Sequence, residues 1–390
     1  VPQTPNVIAS EELADIYRDL HSNPELSYQE FRTADIVAQR LTALGFEVTT
    51  GVGGTGVVGI LRNGAGGTAM LRADMDALPV REETGLPYAS TVTAVDDSGA
   101  ETPVMHACGH DIHVTCLLGA CSQLIDDRDV WAGTLVAVFQ QGEERSGARR
   151  MVDGGLAAIV PKPDVVLGQH VAPFPTGVIG LASGPAFAAS DQVTITMRGK
   201  GSHGSRPEAS VDPIVMAAAV VMRLQTIVSR EVAATTEPAV VTVGQMYGGF
   251  KENIIPDTAT LKINVRTYGS DVRDRVLASI TRIAKAEAMA SGASEEPIIE
   301  ISDESFPVLV NDVDACDRTR PALAGSGALI IDPGPVSGSE DVGMLATAVG
   351  APCVYWLLGG LDPAEFEGAT SIEAIQARIA DLPANHSPFF

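Results

Sequence analysis

Leu135-Val-Ala-Val-Phe139 runs straight into Gln140-Gln-Gly-Glu-Glu144, and the reading of this stretch decides the fold. An apolar run of strand length that stops on two adjacent acids reads as a sheet strand whose polar groups stand at the sheet edge. That edge is where α/β proteins build their sites. A helix over 110–125 precedes the strand, and a helix over 145–156 and a strand over 164–168 follow it. Further upstream, Ser10-Glu-Glu-Leu13 opens a helix with a capping residue and early acids, and apolar spacing continues through Leu20. A second helix runs from about 28 to 44 and stops at Gly45, and strands follow at 46–49, 56–61 and 69–72. This alternation predicts an α/β domain around a mostly parallel sheet.

A different rhythm begins near Ala189. A strand over 191–198, a helix over 212–228, strands over 240–247 and 258–267, a helix over 271–290 and a strand over 298–302 follow in turn. The order β-α-β-β-α-β is the split βαβ unit of ferredoxin-like domains. It predicts an insertion spanning 189–302, with 1–188 and 303–390 forming the larger domain. At 390 residues, two domains are the expectation.

Composition narrows the function classes. Apolar residues make up 45% and charged residues 19%, enough for a large core and too apolar for disorder. The formal charge of −23 argues against nucleic acid or anionic membranes as partners, since both call for basic patches. No stretch reads as the roughly 20 apolar residues that span a bilayer, and Val1-Pro-Gln-Thr-Pro5 shows no leader pattern. Five cysteines without a C-x-x-C spacing favour a reducing, cytoplasmic setting. Cys116, Cys121 and Cys353 read as core filler.

Five metal-capable side chains stand out: Cys108 and His110 in Met105-His-Ala-Cys-Gly-His-Asp111, Glu144, His170 after Val165-Val-Leu-Gly168, and His386 near the C-terminus. Thiolate, imidazole and carboxylate are the ligands of a borderline metal such as zinc. Cys108-x-His110 is short enough to reach one centre, and the small Ala107 and Gly109 would let the backbone approach a metal. In Glu143-Glu144, one acid can hold a metal while its neighbour takes a proton from water. Together these groups point to a metallohydrolase.

The order of further segments adds to this. Leu71-Arg-Ala-Asp-Met-Asp-Ala-Leu-Pro79, the 105–111 stretch, Glu143-Glu144 with Gly147-Ala148, and Gln169-His-Val171 are followed by Gly201-Ser-His203, Asp212-Pro-Ile214 and Val241-Thr-Val-Gly244. Asn253-Ile-Ile-Pro-Asp257, Val265-Arg-Thr267, Gly338-Ser-Glu-Asp341 and His386-Ser-Pro388 complete the series. The chain resembles the M20 metallopeptidase family, in the amidohydrolase branch of hippurate hydrolases, N-acyl-amino-acid amidohydrolases and auxin-conjugate hydrolases.

The resemblance implies a catalytic domain with an inserted lid and dimerisation domain, hence a homodimer. It implies two divalent metals bridged by Cys108, with His110 and His170 on one and Glu144 and His386 on the other. Zinc suits the thiolate best, and manganese, cobalt or nickel are alternatives. Glu143 would be the general base, and Asp76 would orient a ligand. His203 would reach across the dimer to the tetrahedral oxyanion, and Asn253 and Arg266 would face the substrate. The branch usually carries Gln-Pro-Ala-Glu-Glu where this chain has Gln140-Gln-Gly-Glu-Glu144, a change expected to alter only the rigidity of the strand end. It usually has Pro-His after the lid histidine, where this chain has Pro207-Glu208, which leaves the substrate open. His113 reads as packing or as a group behind the ligands, and His21 as a helix C-terminal cap.

The expected activity is metal-dependent hydrolysis of the amide of an N-acyl amino acid or a related conjugate. A dipeptide or aminoacyl hydrolase of the same family and a non-catalytic metal- or ligand-binding relative are the rivals. Neither the acyl group, the amine, nor the native metal is readable from the residues.

Overall fold

The computed structural model describes residues 8–233, 235–369 and 372–390; the opening 1–5 segment read above lies outside them. The chain divides into two compact units. The first comprises the residues up to Ala186, then Val310–Gly334 and Asp341–Phe390; the second comprises Phe187–Leu309 and Pro335–Glu340. The return to the first unit thus falls later than 302. The segment 335–340 stays with the second unit through a Phe187–Val336 bridge and the Ala188 amide, which donates to the Gly338 carbonyl.

The first unit is built on an eight-stranded sheet. Its spatial order is Glu47–Val52, Gly56–Asn63, Gly133–Gln140, Thr68–Asp74, Val165–Pro175, Cys353–Leu361, Val178–Gly180 and Leu329–Ile331. The strands from Gly133–Gln140 to Cys353–Leu361 are mutually parallel, but antiparallel pairs flank them on both sides. The sheet is therefore mixed. Glu47–Val52 and Gly56–Asn63 form a hairpin through Gly53 and Gly54, both at positive φ, and a hairpin can only be antiparallel.

Helices Ser10–Ser22, Phe31–Ala43 and His110–Asp126 bury Leu20, Leu41, Val114 and Leu118 against strand residues such as Val57, Ala137 and Phe139. Each buried leucine stabilises by roughly 1.5–3 kcal/mol relative to exposure.

Several local expectations are corrected. Ser10 is the first helical residue and does not cap; Ala9 occupies the cap position without a side-chain bond. The second helix starts at Phe31 because Tyr28 has φ 68, which breaks a helix there. The 145–156 helix is cut into Gly147–Asp153 and Leu156–Ile159 by Ser146 at φ 59 and Gly155 at φ 89. Cys121 and Cys353 are buried, but Cys116 is exposed, off the helix face that carries Val114, Leu117 and Cys121 inward.

In the second unit, a four-stranded antiparallel sheet runs in the order Ala239–Gly248, Thr258–Thr267, Ala189–Arg198, Ile298–Ile301. With helices Pro213–Thr226 and Ser270–Ala290 between strands, the topology is the split βαβ arrangement read from the sequence. Asp212 caps the first helix by accepting from the amides of Ile214 and Val215. By length and composition, Pro213–Glu231 is apolar enough to cross a membrane, which the sequence reading missed. Its Met216, Ala217, Val220 and Leu224 pack instead into the core of this unit with Ile195, Leu261 and Ile280.

Candidate metal centre

The first ligand pair is set by a glycine. Gly109, at φ 77, precedes the helix His110–Asp126, and a Cβ there would fall 2.2 Å from Val171 Cγ1. The left-handed backbone and the Val171 side chain therefore require glycine; access for a metal, the reason expected from the sequence, is not what the packing shows. The turn delivers Cys108 and His110 to one place. The ligand atoms of Cys108, His110 and His170 all lie within 4.8 Å of one another, and so do those of Cys108, Glu144 and His386. Cys108 belongs to both groups. A third group, His110, Glu143 and Glu144, brings Glu143 to the same point.

Each ligand has its own support. His170 lies inside Val165–Pro175, not at a strand end, opposite Leu357. Pairing with Thr68–Asp74 stops at Gly168, so His170 stands just beyond that neighbour. Its Nε2 is 3.4 Å from Cys108 Sγ, and its Nδ1–H donates to the Val171 carbonyl at 2.7 Å. His386, at φ 71, is tied down by its amide, which donates to the Ala107 carbonyl at 2.6 Å; its Nε2 is 3.1 Å from Glu144 Oε1. The Glu83 amide donating to the Pro388 carbonyl at 2.8 Å anchors the same segment.

Asp76 ties the two halves of the site together. Its Oδ1 accepts from His110 Nδ1 at 3.2 Å and from the Glu143 amide at 3.0 Å. Its Oδ2 accepts from the Glu144 amide at 3.2 Å and the Ser27 hydroxyl at 2.7 Å. His110 is thereby fixed with Nε2 turned away from Asp76. That atom is buried and has no hydrogen-bond partner among the described residues. A buried imidazole nitrogen left open beside a thiolate and a second imidazole fits a metal, with Asp76 in the orienting position.

Asp74, His110 and His113 also cluster. His113, however, has both nitrogens engaged: Nδ1 with Asp74 Oδ1 at 2.5 Å, and Nε2 accepting from the Val171 amide at 2.8 Å. It packs and aligns and has no atom left to ligate.

The electrostatics follow from burial and neighbours. Burial alone would raise the Cys108 thiol, but His170 beside it, with His110 and His386, holds it well below the ordinary thiol range. His170 is pushed up to about 9 by the Cys108 sulfur against its burial. His386 rises to about 10 through hydrogen bonds to Cys108 and Glu144. Burial raises Glu144 despite His386. His106, which neighbours the ligand pair, is buried without a hydrogen-bond partner among the described residues and is pushed down to about 4, so it stays neutral.

Two supporting arrangements were not read from the sequence. His21 stands in the last turn of Ser10–Ser22 as read, but its ring bonds elsewhere: Nδ1 meets the buried Asp111 Oδ2 at 2.7 Å and Nε2 meets Glu82 Oε1 at 3.0 Å. These contacts raise His21 to about 9 against its burial, so the ring is a trapped cation. Arg72 lies buried against Asp74, Gln140 and Asp341, and Asp341 also accepts from the Ala148 amide. A cleft of about 400 Å³ opens beside Glu144 and His386, lined also by Leu26, Ser27, Pro79 and Arg145.

The other candidate residues lie in the second unit. His203 is exposed on a two-residue strand paired with Ile254 and Ile255, next to the exposed Asn253, whose carbonyl accepts from the Gly204 amide. The Ser205 amide donates to His203 Nδ1 at 3.1 Å, which leaves the ring proton of the neutral form on Nε2. Arg266 is partly buried. Its Nε donates to Asn264 Oδ1, and one Nη donates to the Ser337 carbonyl and the Ser339 hydroxyl.

Residues 70–383 match the model of peptidase family M20/M25/M40, and the chain belongs to this family. It is 38% identical over 354 residues to a hippurate hydrolase of Campylobacter jejuni, an alignment covering 89% of this chain and 88% of the relative. It is 37% identical to an N-acetyl-L-cysteine deacetylase of Bacillus subtilis, covering 85% and 76%, and 35% identical to thermostable carboxypeptidase 2 of Saccharolobus solfataricus, covering 89% and 85%. Among solved structures, the Bacillus subtilis YXEP protein, described as a dinuclear metal binding peptidase of the M20 family, superposes with a TM-score of 0.75 at 28% identity, covering 95% of both chains. With such relatives the chain is a hydrolase of C–N bonds, and its clustered ligands support two divalent metals.

Proposed function

We propose that this chain hydrolyses the amide bond of N-acyl amino acids or related amide conjugates, with Glu143 as general base. The observation that carries the reading is the position of Cys108, common to two three-ligand groups with Glu143 beside them. One group would be Cys108, His110 and His170, and the other Cys108, Glu144 and His386. Two divalent ions held by these residues would lower the pKa of water toward about 7 and polarise the scissile carbonyl. The thiolate favours zinc, ahead of manganese, cobalt or nickel.

Glu143 takes the proton of the attacking water and delivers it to the leaving nitrogen, so that the amine departs neutral. Asp76 keeps this base in place by accepting from its amide. The cleft beside Glu144 and His386 offers the leaving group or acyl chain a partly apolar wall.

The reading extends to a homodimer through the inserted unit. There His203 of one protomer would donate Nε2–H to the oxyanion of the other, a role that suits the tautomer set by Ser205. Asn253 and Arg266 would face the substrate. Arg266 would do so with what its contacts to Asn264, Ser337 and Ser339 leave of its fork. A cytoplasmic setting is part of the proposal, supported by five free cysteines. The carboxypeptidase relatives keep peptide-like substrates as a second reading. A non-catalytic relative would have no use for Glu143 beside the ligands.

The test is a screen of N-acetyl-, N-benzoyl- and longer-chain acyl-amino acids against dipeptides, using metal-reconstituted protein. Turnover of acyl-amino acids above dipeptides supports the proposal. Turnover of dipeptides alone selects the second reading, and none at all overturns both.

A further inference from the structure

The stretch His21-Ser-Asn-Pro-Glu-Leu-Ser-Tyr-Gln-Glu30 contributes no metal-capable side chain to the clusters above, yet it bonds to the residues beside His110, to Asp76 and to the turn that carries Glu143 and Glu144. At its start, His21 bridges Asp111 and Glu82, and Asp111 follows His110 directly. In its middle, the Glu25 carbonyl accepts from the Ala77 amide at 2.8 Å, and Ser27 donates to Asp76. At its end, the buried Glu30 carboxylate accepts from the Gly142 amide at 2.8 Å, the Tyr28 amide at 2.9 Å and the Thr55 hydroxyl at 2.6 Å. Gly142 is the residue before Glu143.

Tyr28 completes the contact. Its hydroxyl donates to the Arg145 carbonyl at 2.6 Å, closing the Glu143–Glu144 turn from its far side. The Tyr28 ring fills the space at Gly142, where a Cβ would come within 2.4 Å of ring carbon Cε1. Tyr28 itself stands at φ 68, a conformation that is unfavourable for a tyrosine. Hydrogen bonds at both ends of the residue over-determine it.

We propose that residues 21–30 are a positioning brace, with its two ends assigned to different metals. Glu30 and Tyr28 hold the Glu143–Glu144 turn, and so act on the ion taken by Cys108, Glu144 and His386. His21 acts through Asp111 on His110, which directly precedes Asp111 in the chain, and so on the ion taken by Cys108, His110 and His170. Groups behind the ligands change metal affinity by roughly 10–100-fold when they are lost.

This inference rests on the two-metal reading, and one experiment separates their failures. Zinc is titrated into apo protein against a chromophoric chelator for wild type, Glu30→Ala, Glu30→Gln and His21→Ala, and the melting temperature of each apo protein is recorded. Glu30→Gln keeps an oxygen for the Gly142 and Tyr28 amides and can donate to Thr55, so it should bind both ions like wild type. Glu30→Ala should weaken one ion by about 10-fold or more and spare the other. His21→Ala should also weaken only one.

The identity of the weakened ion follows from pairing each change with Glu144→Gln or His170→Ala. Glu30→Ala should add little to Glu144→Gln, and His21→Ala little to His170→Ala. Should Glu30→Ala not fold, Tyr28→Phe, which removes only the hydroxyl that donates to the Arg145 carbonyl, carries the same expectation with a smaller loss. Wild type that binds no zinc would overturn the metal reading. Wild type binding two ions, with variants that match it or lose both ions equally in step with melting temperature, would overturn the brace.

Discussion

The candidate catalytic residues of the two units are held in opposite ways. In the sheet-bearing unit, His110, Asp76 and Glu143 are buried, and each is fixed by bonds from separate segments of chain. In the inserted unit, His203 and Asn253 are exposed, and among the described residues the His203 ring bonds to its near neighbour Ser205. The first set is preorganised, its geometry settled before substrate arrives. The second lies on the surface of its unit, where the proposed role of His203 in another protomer's site would use it.

The sharpest way to break this contrast is at the base. Glu143→Gln keeps shape and removes proton affinity, so turnover should fall by roughly 10²–10⁴-fold with metal content unchanged. Full activity in the metal-loaded variant would place the base elsewhere. Next in size is His203→Ala, for which loss of one oxyanion donor predicts about 10²–10³-fold. Mixing it with Glu143→Gln and exchanging subunits should restore activity, because both defects then fall in one of the two sites. No recovery in a verified heterodimer would make His203 serve its own chain and would erase the contrast.

Smaller effects probe the rigidity of the first unit. Gly142→Ala places a Cβ against the Tyr28 ring at a residue whose φ is 57. Overpacking of this kind typically costs about 1–3 kcal/mol, to be read by denaturant unfolding. A neutral result would show that Tyr28 can yield.

The smallest effect is a pH dependence. His21 is raised to about 9 in the folded protein from an ordinary 6.5, so its contribution is complete below about 6.5 and fades as pH climbs through 9. The melting-temperature gap between wild type and His21→Gln should therefore narrow from pH 6.5 to 9.5. A constant gap would mean that the ring is not a trapped cation.

Much of this was legible in the residues. The parallel core strands and the inserted β-α-β-β-α-β unit declare themselves through apolar spacing and length, because these reflect burial along one chain segment. Cys108, His110 and Glu143-Glu144 were visible because their types are costly to place at a sheet edge without a use. What stayed hidden depends on tertiary partners. Nothing near His21 in sequence announces Asp111 or Glu82, and nothing around Gly142 announces a tyrosine ring 114 positions upstream. The left-handed Tyr28 and Ser146, which end or break helices, break no rule of composition and are imposed by packing. The strand through His170 ran on to Pro175 because Cys353–Leu361, far along the chain, pairs with it.

If Cys108 serves two metals at once, its loss should release both, and the metal content of a single variant shows whether it does. Wild type and Cys108→Ala, both reconstituted with zinc, dialysed and analysed by elemental mass spectrometry, should differ. Wild type should retain about two ions per chain, the number a two-metal site holds, and the variant should lose affinity for both. Equal zinc retention in the two proteins would contradict the account.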